Sequence, residues 1–164
     1  MNNAVNINSS EKKVSAPQDL TALRSEKYIV FSVYETFYGI AAKEVTEIIH
    51  PITVTALPNV PRWILGVINL RGEIVAVVDL QTLWNKNSAT APKSKFIVAR
   101  SGASAAVIAF AVDKLSEIVS LSAGEINPAS DESAPYIFGK AVYKSNALQL
   151  IDAKNLFDSL SPDK

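Results

Sequence analysis

The chain has 164 residues, enough for one ordinary domain with a substantial buried core. Acidic and basic residues number 16 each, so the net charge is zero and no general attraction to nucleic acid or anionic lipid is expected. Cysteine is absent, which excludes disulfides, thiolate nucleophiles and cysteine-based metal sites. The longest apolar run, residues 105–112, is far shorter than the roughly 18 residues of a membrane-spanning helix, and the first residues lack the apolar region of a secretory signal. We therefore expect a cytoplasmic protein that does not insert into membranes.

Residues 1–27 differ in composition from the rest of the chain. They are rich in Asn, Ser, Lys and Glu and carry few large apolar side chains. Such a segment cannot bury enough apolar surface to offset the entropy of ordering it. The composition predicts a disordered N-terminal tail, with the folded domain beginning at Tyr28.

After this tail the sequence is typical of short strands. Residues 28–35 alternate and are rich in β-branched and aromatic side chains, and residues 37–42 follow closely enough to form a hairpin with them. Residues 45–49 place apolar side chains at the i, i+3, i+4 spacing of one helical turn. Residues 52–57 predict another short strand. Two prolines within residues 58–64 predict a turn that leads into a brief helical segment.

Residues 66–80, GVINLRGEIVAVVDL, place an Arg-Gly pair between two apolar runs. This pattern predicts a hairpin with Arg71 and Gly72 at its tip, where the glycine supplies the positive φ that the turn requires. The arginine is a planar, always charged group suited to contact with a carboxylate. That carboxylate can belong to a partner protein or to Glu47 of the same chain, and a solvated turn residue is the third alternative.

Asp79 ends the second apolar run of this hairpin, as the phosphoacceptor of a response-regulator receiver ends its strand. A receiver also needs an acidic pair at the end of its first strand and long alternating helices. The first strand here ends in Tyr34-Glu35, and no long amphipathic helix separates the strands. We therefore predict that Asp79 caps a short helix over residues 80–84. A phosphorelay component acting through Asp79 remains the alternative.

A polar linker, residues 85–95, is followed by a second copy of the same pattern. Three blocks recur in the same order at nearly constant offsets: 28–30 with 96–98, 37–49 with 107–119, and 63–84 with 136–157. These offsets pair Glu47 with Glu117 and Asp79 with Asp152. The repeat predicts two copies of one all-β unit of about five short strands, and so many short strands joined by tight turns favour barrels over sandwiches. The copies span about residues 28–84 and 96–157, pack as one body, and leave 158–164 as a C-terminal tail.

The segments YGI, VTEIIHPITVTALPNVPRWI and LGVINLRGEIVAVVDL resemble the CheW family of chemotaxis adaptors. The resemblance covers about residues 28–157. It implies an all-β fold of two packed five-stranded SH3-like barrels with short helical turns. It also implies a non-catalytic adaptor that couples the cytoplasmic tips of methyl-accepting chemoreceptors to the regulatory domain of a CheA-type histidine kinase, clustered at receptor arrays. Ala76 and the stretch AAKEV depart from the family pattern, and the output, swimming or pilus-driven movement, stays open.

The resemblance further implies that partner-binding residues surround the hairpin tip and the upstream V-x-E-I motif. They are Val45, Glu47, Gly66, Asn69, Leu70, Arg71 and Gly72. In the second copy, Lys144 and Ser145 replace the Arg-Gly pair. Only the first copy therefore keeps the full motif.

Catalytic, cofactor-binding and metal-binding residues are not expected. His50 is the sole histidine, so a multi-histidine metal site is excluded, and no serine has the context of a nucleophile elbow. One further alternative is a generic SH3-like peptide-binding module. In that case Tyr34, Tyr38 and Trp63 would form a groove for a proline-rich or helical ligand.

Overall fold

The computed structural model describes residues 24–84, 92–100 and 106–160, which form two β-sheets with short helical segments. The strands are β1 (Ser25–Val33), β2 (Thr36–Ala41), β3 (Val45–Ile49), β4 (Ile64–Leu70), β5 (Glu73–Asp79), β6 (Lys95–Arg100), β7 (Val107–Val112), β8 (Lys114–Ser122), β9 (Asn127–Pro128), β10 (Ile137–Tyr143) and β11 (Asn146–Ile151). Helix α1 (Leu80–Leu83) follows β5 and helix α2 (Ala153–Ser159) follows β11. Single 3₁₀ turns lie at Ala42–Glu44 and Ala123–Glu125. None of the helices in the described ranges is long and apolar enough to cross a membrane.

The two sheets have matching strand orders. One runs β8-β1-β2-β11-β10-β9 and the other β3-β6-β7-β5-β4. Neighbouring strands are antiparallel except for one parallel pair in each sheet, β2 with β11 and β5 with β7. The two-residue β9 extends the first sheet, and an isolated bridge between Thr55 and Val67 holds the corresponding place in the second.

Each sheet curls around an apolar core of its own, because strands from both of its ends contribute to that core. Ile49 of β3 and Ile68 of β4 pack into one core, although these strands are the two edges of their sheet. Leu121 of β8 and Tyr143 of β10 pack into the other. We call the two bodies the β5 barrel and the β11 barrel, after the strand that precedes the helix in each. The predicted all-β fold of two packed barrels is confirmed.

A third apolar core lies between the barrels and joins them. Successive residues of a strand point to opposite faces, so a strand between two cores buries both faces. Tyr28 and Val30 of β1 pack inside the β11 barrel, whereas Ile29 and Phe31 face the shared core. Phe110 reaches the same shared core from β7 of the other barrel. The two barrels therefore form one body, as the repeat predicted.

The two repeats exchange their first hairpins. Strands β1 and β2 come from the first repeat but lie in the β11 barrel with β8–β11 of the second. In return, β6 and β7 of the second repeat complete the β5 barrel beside β3–β5 of the first. The repeat itself predicted one unit per copy, whereas each barrel contains strands of both copies. Because neither copy holds all the strands of a barrel, each needs the other to close its core.

Several local predictions need correction. Residues 45–49, predicted as a helical turn, form strand β3 and pair with β6, and the helical turn lies just before them at Ala42–Glu44. The apolar spacing of so short a segment fits either structure, and pairing with a partner strand decides for the strand. Residues 52–57 contribute only the bridge at Thr55, and residues 58–63 form turns before β4, which begins at Ile64.

The boundaries also shift. The folded domain begins before Tyr28, because Ser25–Lys27 already pair with β8 as part of β1. Lys95, predicted as the last linker residue, is the first residue of β6, and α2 extends to Ser159. Of the predicted tails and linker, residues 1–23, 85–91 and 161–164 lie outside the described residues, whereas linker residues 92–94 are described and lead into β6.

Candidate partner-binding site

The β4–β5 hairpin ends in the two-residue turn that the sequence predicts. Arg71 and Gly72 both have positive φ angles, 52° and 85°, as the two central residues of a type I′ turn require. The side chain of Asn69 organises this turn, since its Oδ1 accepts a 2.8 Å hydrogen bond from the backbone N–H of Gly72. Asn69, Arg71 and Gly72 are exposed, so the tip is accessible.

Arg71 is paired within the chain. Its Nη1 donates to Oε1 of Glu47 over 2.8 Å, and 77% of the arginine side chain remains exposed against 22% of the glutamate. Glu47 lies on β3 at one edge of the sheet, and the tip follows β4 at the opposite edge. The ion pair therefore spans the seam where the β5 barrel closes. A guanidinium carries five N–H donors, so Arg71 can hold Glu47 and contact a second carboxylate.

The other predicted residues lie around this pair with less exposure. Leu70 packs against the core of the β5 barrel, and Val45 packs against the core between the barrels. Gly66 is buried and has a φ of 141°, and a Cβ there would clash with the carbonyl oxygen of Thr55. The structure thus gives Gly66 a backbone role, as the place where residue 55 crosses β4.

The second barrel closes with the same device, which the sequence did not predict. Lys144 and Ser145 form the β10–β11 turn with φ angles of 46° and 65°. Lys144 Nζ donates to Oε1 of Glu117 over 2.7 Å, and the hydroxyl of Tyr143 donates to the same oxygen over 2.7 Å. These two hydrogen bonds lower the pKa of Glu117, and the glutamate raises the pKa of Lys144 to about 12. The second copy lost the Arg-Gly motif but kept the cation–glutamate pair.

Ile74 is an exposed apolar neighbour of the tip that sequence reasoning missed. It lies on β5 directly opposite Asn69, and it is 65% exposed. Residues 75–78, which follow it on β5, are all apolar, so alternation of polar and apolar residues gave no signal for its exposure. The accessible surface of the tip therefore combines a cation, an amide and an apolar side chain.

Asp79 is a helix cap, as predicted. Its Oδ1 accepts from the backbone N–H of Gln81 at 3.1 Å, its Oδ2 accepts from the hydroxyl of Thr82 at 2.8 Å, and Lys93 lies 3.3 Å from Oδ1. The residue is only 3% exposed. A phosphoacceptor must present a free carboxylate oxygen to a phosphate donor, and here both oxygens are engaged and buried. The geometry therefore does not support the phosphorelay alternative. Asp152 caps α2 through the N–H of Asn155.

The aromatic residues of the peptide-groove alternative do not form an open groove. Tyr38 is buried and its ring centroid lies 4.4 Å from that of Trp84. Trp63 is half-buried against the core between the barrels, and only Tyr34 is substantially exposed, in the β1–β2 turn. His50 is exposed beside Lys95. Among the described residues, no group of three or more His, Cys, Asp or Glu side chains is placed to hold a metal ion.

Comparison with known proteins assigns this fold to a family. A family model described as a CheW-like domain matches residues 27–161. The chemotaxis protein CheW of Klebsiella aerogenes is 28% identical over 138 residues, which cover 82% of each chain. The chemotaxis protein CheW of Rhizobium meliloti is 27% identical over 135 residues, covering 80% of this chain and 86% of the relative. The crystal structure of the scaffolding protein TtCheW from Thermoanaerobacter tengcongensis matches 79% of this chain and 85% of its own, with a TM-score of 0.71 and 25% identity. Because the family match extends over both barrels, this chain belongs to the CheW-like family.

Proposed function

We propose that this chain is a non-catalytic adaptor that couples methyl-accepting chemoreceptors to a CheA-type histidine kinase. It acts in the cytoplasm, at receptor arrays, by holding the receptor tip and the regulatory domain of the kinase together. Family membership over residues 27–161 is the observation that carries this function. Relatives that match about four-fifths of the chain are named chemotaxis proteins, and the solved structure it matches is named a scaffolding protein.

The surface offered to a partner is the tip of the β4–β5 hairpin. Arg71 supplies an exposed charge, Asn69 an exposed amide beside it, and Ile74 an exposed apolar side chain. Glu47 holds the guanidinium in one orientation before a partner arrives, which lowers the entropy lost when the contact forms. Leu70, Val45 and Gly66 serve this surface from behind, by fixing the strands that carry it.

Substitution of Arg71 tests this surface. Arg71→Ala should weaken association with receptor or kinase by about 2–5 kcal/mol if the guanidinium meets a carboxylate in a desolvated contact. Folding should be nearly intact, because exposed ion pairs contribute about 0–1 kcal/mol to stability. The measurement is co-sedimentation of the purified protein with receptor-bearing membranes and kinase, together with the melting temperature of the variant.

Lys144→Ala is the matched control, since Lys144 occupies the equivalent turn and pairs with the equivalent glutamate. It removes the same kind of ion pair from the other barrel and should affect association much less. If Arg71→Ala associates with its partners as well as wild type does, or if both variants lose the same amount of binding, the binding surface lies elsewhere. A large fall in the melting temperature of Arg71→Ala alone would make the residue a structural clamp.

A further inference from the structure

We propose that a largely buried ion cluster of Asp79, Lys93 and Asp113 locks the orientation of the two barrels relative to each other. Lys93 Nζ lies 2.6 Å from Asp113 Oδ1, 3.0 Å from the side-chain oxygen of Gln81 and 3.3 Å from Asp79 Oδ1. The three charged side chains are 4–13% exposed. This lock is a property of the fold and holds whether or not the adaptor role does.

Asp113 connects the cluster to the β11 barrel. It is the single residue between β7, in the β5 barrel, and β8, in the β11 barrel. Its backbone N–H donates to the carbonyl of Ser32 on β1 over 3.1 Å. Its Oδ2 accepts from the backbone N–H of Tyr34 over 2.7 Å, in the turn between β1 and β2. One oxygen of Asp113 therefore holds the exchanged hairpin of the β11 barrel while the other holds Lys93.

Asp79 and Gln81 connect the cluster to the β5 barrel. Asp79 is the last residue of β5 and caps α1, and Gln81 belongs to that helix. Lys93 precedes β6 of the same barrel and reaches both residues. A continuous series of polar contacts thus runs from the β1–β2 turn through Asp113 and Lys93 to the end of β5.

The packing that joins the two barrels in the shared core is apolar rather than directional. Apolar burial is proportional to area and indifferent to small rotations. A largely buried ammonium between two carboxylates tolerates little displacement, because any lengthening of a contact leaves a poorly solvated charge without its partner. The cluster therefore selects one orientation from those that the apolar core allows.

The chain passes between the barrels a second time, from β2 to β3, and among the described residues this second connection carries no comparably buried cation. The offset of the repeat pairs Asp113 with Lys43, which lies where the chain passes from β2 in the β11 barrel to β3 in the β5 barrel. Lys43 pairs with Glu26 over 2.7 Å, but the two side chains are 69% and 39% exposed. The barrels are thus locked on one side, and the loss of that lock frees them to rotate about the shared core.

Spin-label distances test the lock directly. The chain has no native cysteine, so labels can be placed at Ser120→Cys on β8 and Glu73→Cys on β5, both exposed and one on each barrel. Pulsed electron paramagnetic resonance on the full chain then gives the distribution of distances between the barrels. With Lys93 present this distribution should be narrow. Lys93→Met should broaden it or add a second maximum while far-ultraviolet circular dichroism stays unchanged.

Lys43→Met is the matched control and should leave the distribution unchanged. Asp113→Asn is the milder second variant: it keeps an acceptor for the Tyr34 N–H, so it should fold even if Lys93→Met does not, and it should broaden the distribution by a smaller amount. The proposal is overturned if the distance distributions of Lys93→Met and Asp113→Asn both superimpose on that of the parent. If Lys93→Met is unfolded, a parent-like distribution in Asp113→Asn is enough to overturn it. Equal broadening in Lys43→Met also overturns it.

Discussion

Asp79 and Asp152 occupy equivalent positions in the two copies and perform the same local task in opposite surroundings. Asp79 is the last residue of β5 and Asp152 directly follows β11, and each accepts a hydrogen bond from a backbone N–H in the first turn of the following helix. Asp79 is buried beside the ammonium of Lys93, whereas Asp152 lies near a second carboxylate, that of Glu44. A cap needs only a short side chain with an acceptor oxygen, so the repeat preserved it.

The exchange of hairpins explains why the surroundings differ. Each cap lies near residues from outside its own copy. Lys93, which immediately precedes β6 of the second copy, contacts Asp79 and also binds Asp113 of that copy. Glu44 comes from the first copy and lies near Asp152. Two copies that began alike could therefore diverge in charge at one cap without changing the other. The backbone architecture is symmetric, whereas the largely buried charged groups lie together at only one of the two caps.

Removal of Lys93 and removal of Lys43, one at each connection between the barrels, should give the largest difference in the free energy of unfolding. Lys93→Met leaves two largely buried carboxylates without their cation and should destabilise the protein by about 3–5 kcal/mol. Lys43→Met removes an exposed pair and should cost at most about 1 kcal/mol. Urea unfolding of both variants at neutral pH measures the free energies. Similar costs for the two would mean that the burial of Lys93 carries no energetic weight.

Removal of the two helix caps should give a smaller difference in the free energy of unfolding. Asp152→Ala removes the cap of α2 and should cost about 1 kcal/mol. Asp79→Ala removes the cap of α1 and one of the two carboxylates that hold a buried cation, so a cost of about 2–3 kcal/mol is expected. Thermal and urea unfolding check the order of the two variants. If Asp152→Ala is the more destabilising change, the asymmetry between the two sides is assigned the wrong way round.

Features that depend on neighbours in the sequence could be predicted from it. The turn at Arg71 and Gly72 and the caps at Asp79 and Asp152 involve partners within three residues. Hydrophobic pattern and turn chemistry report such contacts directly. The pairing of Arg71 with Glu47, 24 residues apart, was one of three alternatives that the sequence left open.

Features that depend on the exchanged hairpins could not be predicted. The contact between Tyr34 and Asp113 joins residues 79 positions apart and exists only because β1 and β2 leave their own copy. The apolar pattern of residues 45–49 is only five residues long and fits a helical turn as well as a strand. The strand that pairs with them, β6, lies in the other copy. Lys93 fell within a segment whose composition indicated a linker, and composition carries no record of burial.

The two cation–glutamate pairs that close the barrels should differ less in their contribution to stability than the caps do. Glu117→Ala should destabilise the protein more than Glu47→Ala, because Glu117 also accepts from the hydroxyl of buried Tyr143, which would lose this partner. Glu47 accepts from exposed Arg71, which can turn to water. Tyr143→Phe combined with Glu117→Ala should recover part of the loss, and urea unfolding of the set measures it. No recovery in the double variant would show that the tyrosine hydroxyl is solvated once Glu117 is gone.

The smallest expected effect concerns Glu44, and it depends on pH. Burial first, and then the nearby charge of Asp152, raise the pKa of Glu44 above its ordinary value of 4.5. The folded protein therefore binds this proton more tightly than the unfolded chain does, and ionisation of Glu44 destabilises the fold. The penalty is absent below pH 4.5, grows as the pH rises through the native pKa and is constant above it. Glu44→Gln removes the penalty and keeps an acceptor for the N–H of Ala153.

Glu44→Gln should accordingly be slightly more stable than the parent at pH 7, and the gain should disappear near pH 4. Urea unfolding at both pH values measures this difference. In an Asp152→Asn background the gain at pH 7 should shrink, because one cause of the raised pKa is then absent. Glu26 and Lys43 also act on Glu44, in opposite directions, and neither is altered in these variants. A loss of stability at pH 7 in Glu44→Gln would mean that the charged carboxylate holds the N-terminus of α2 more strongly than burial opposes it, and Glu44 would then be a second cap.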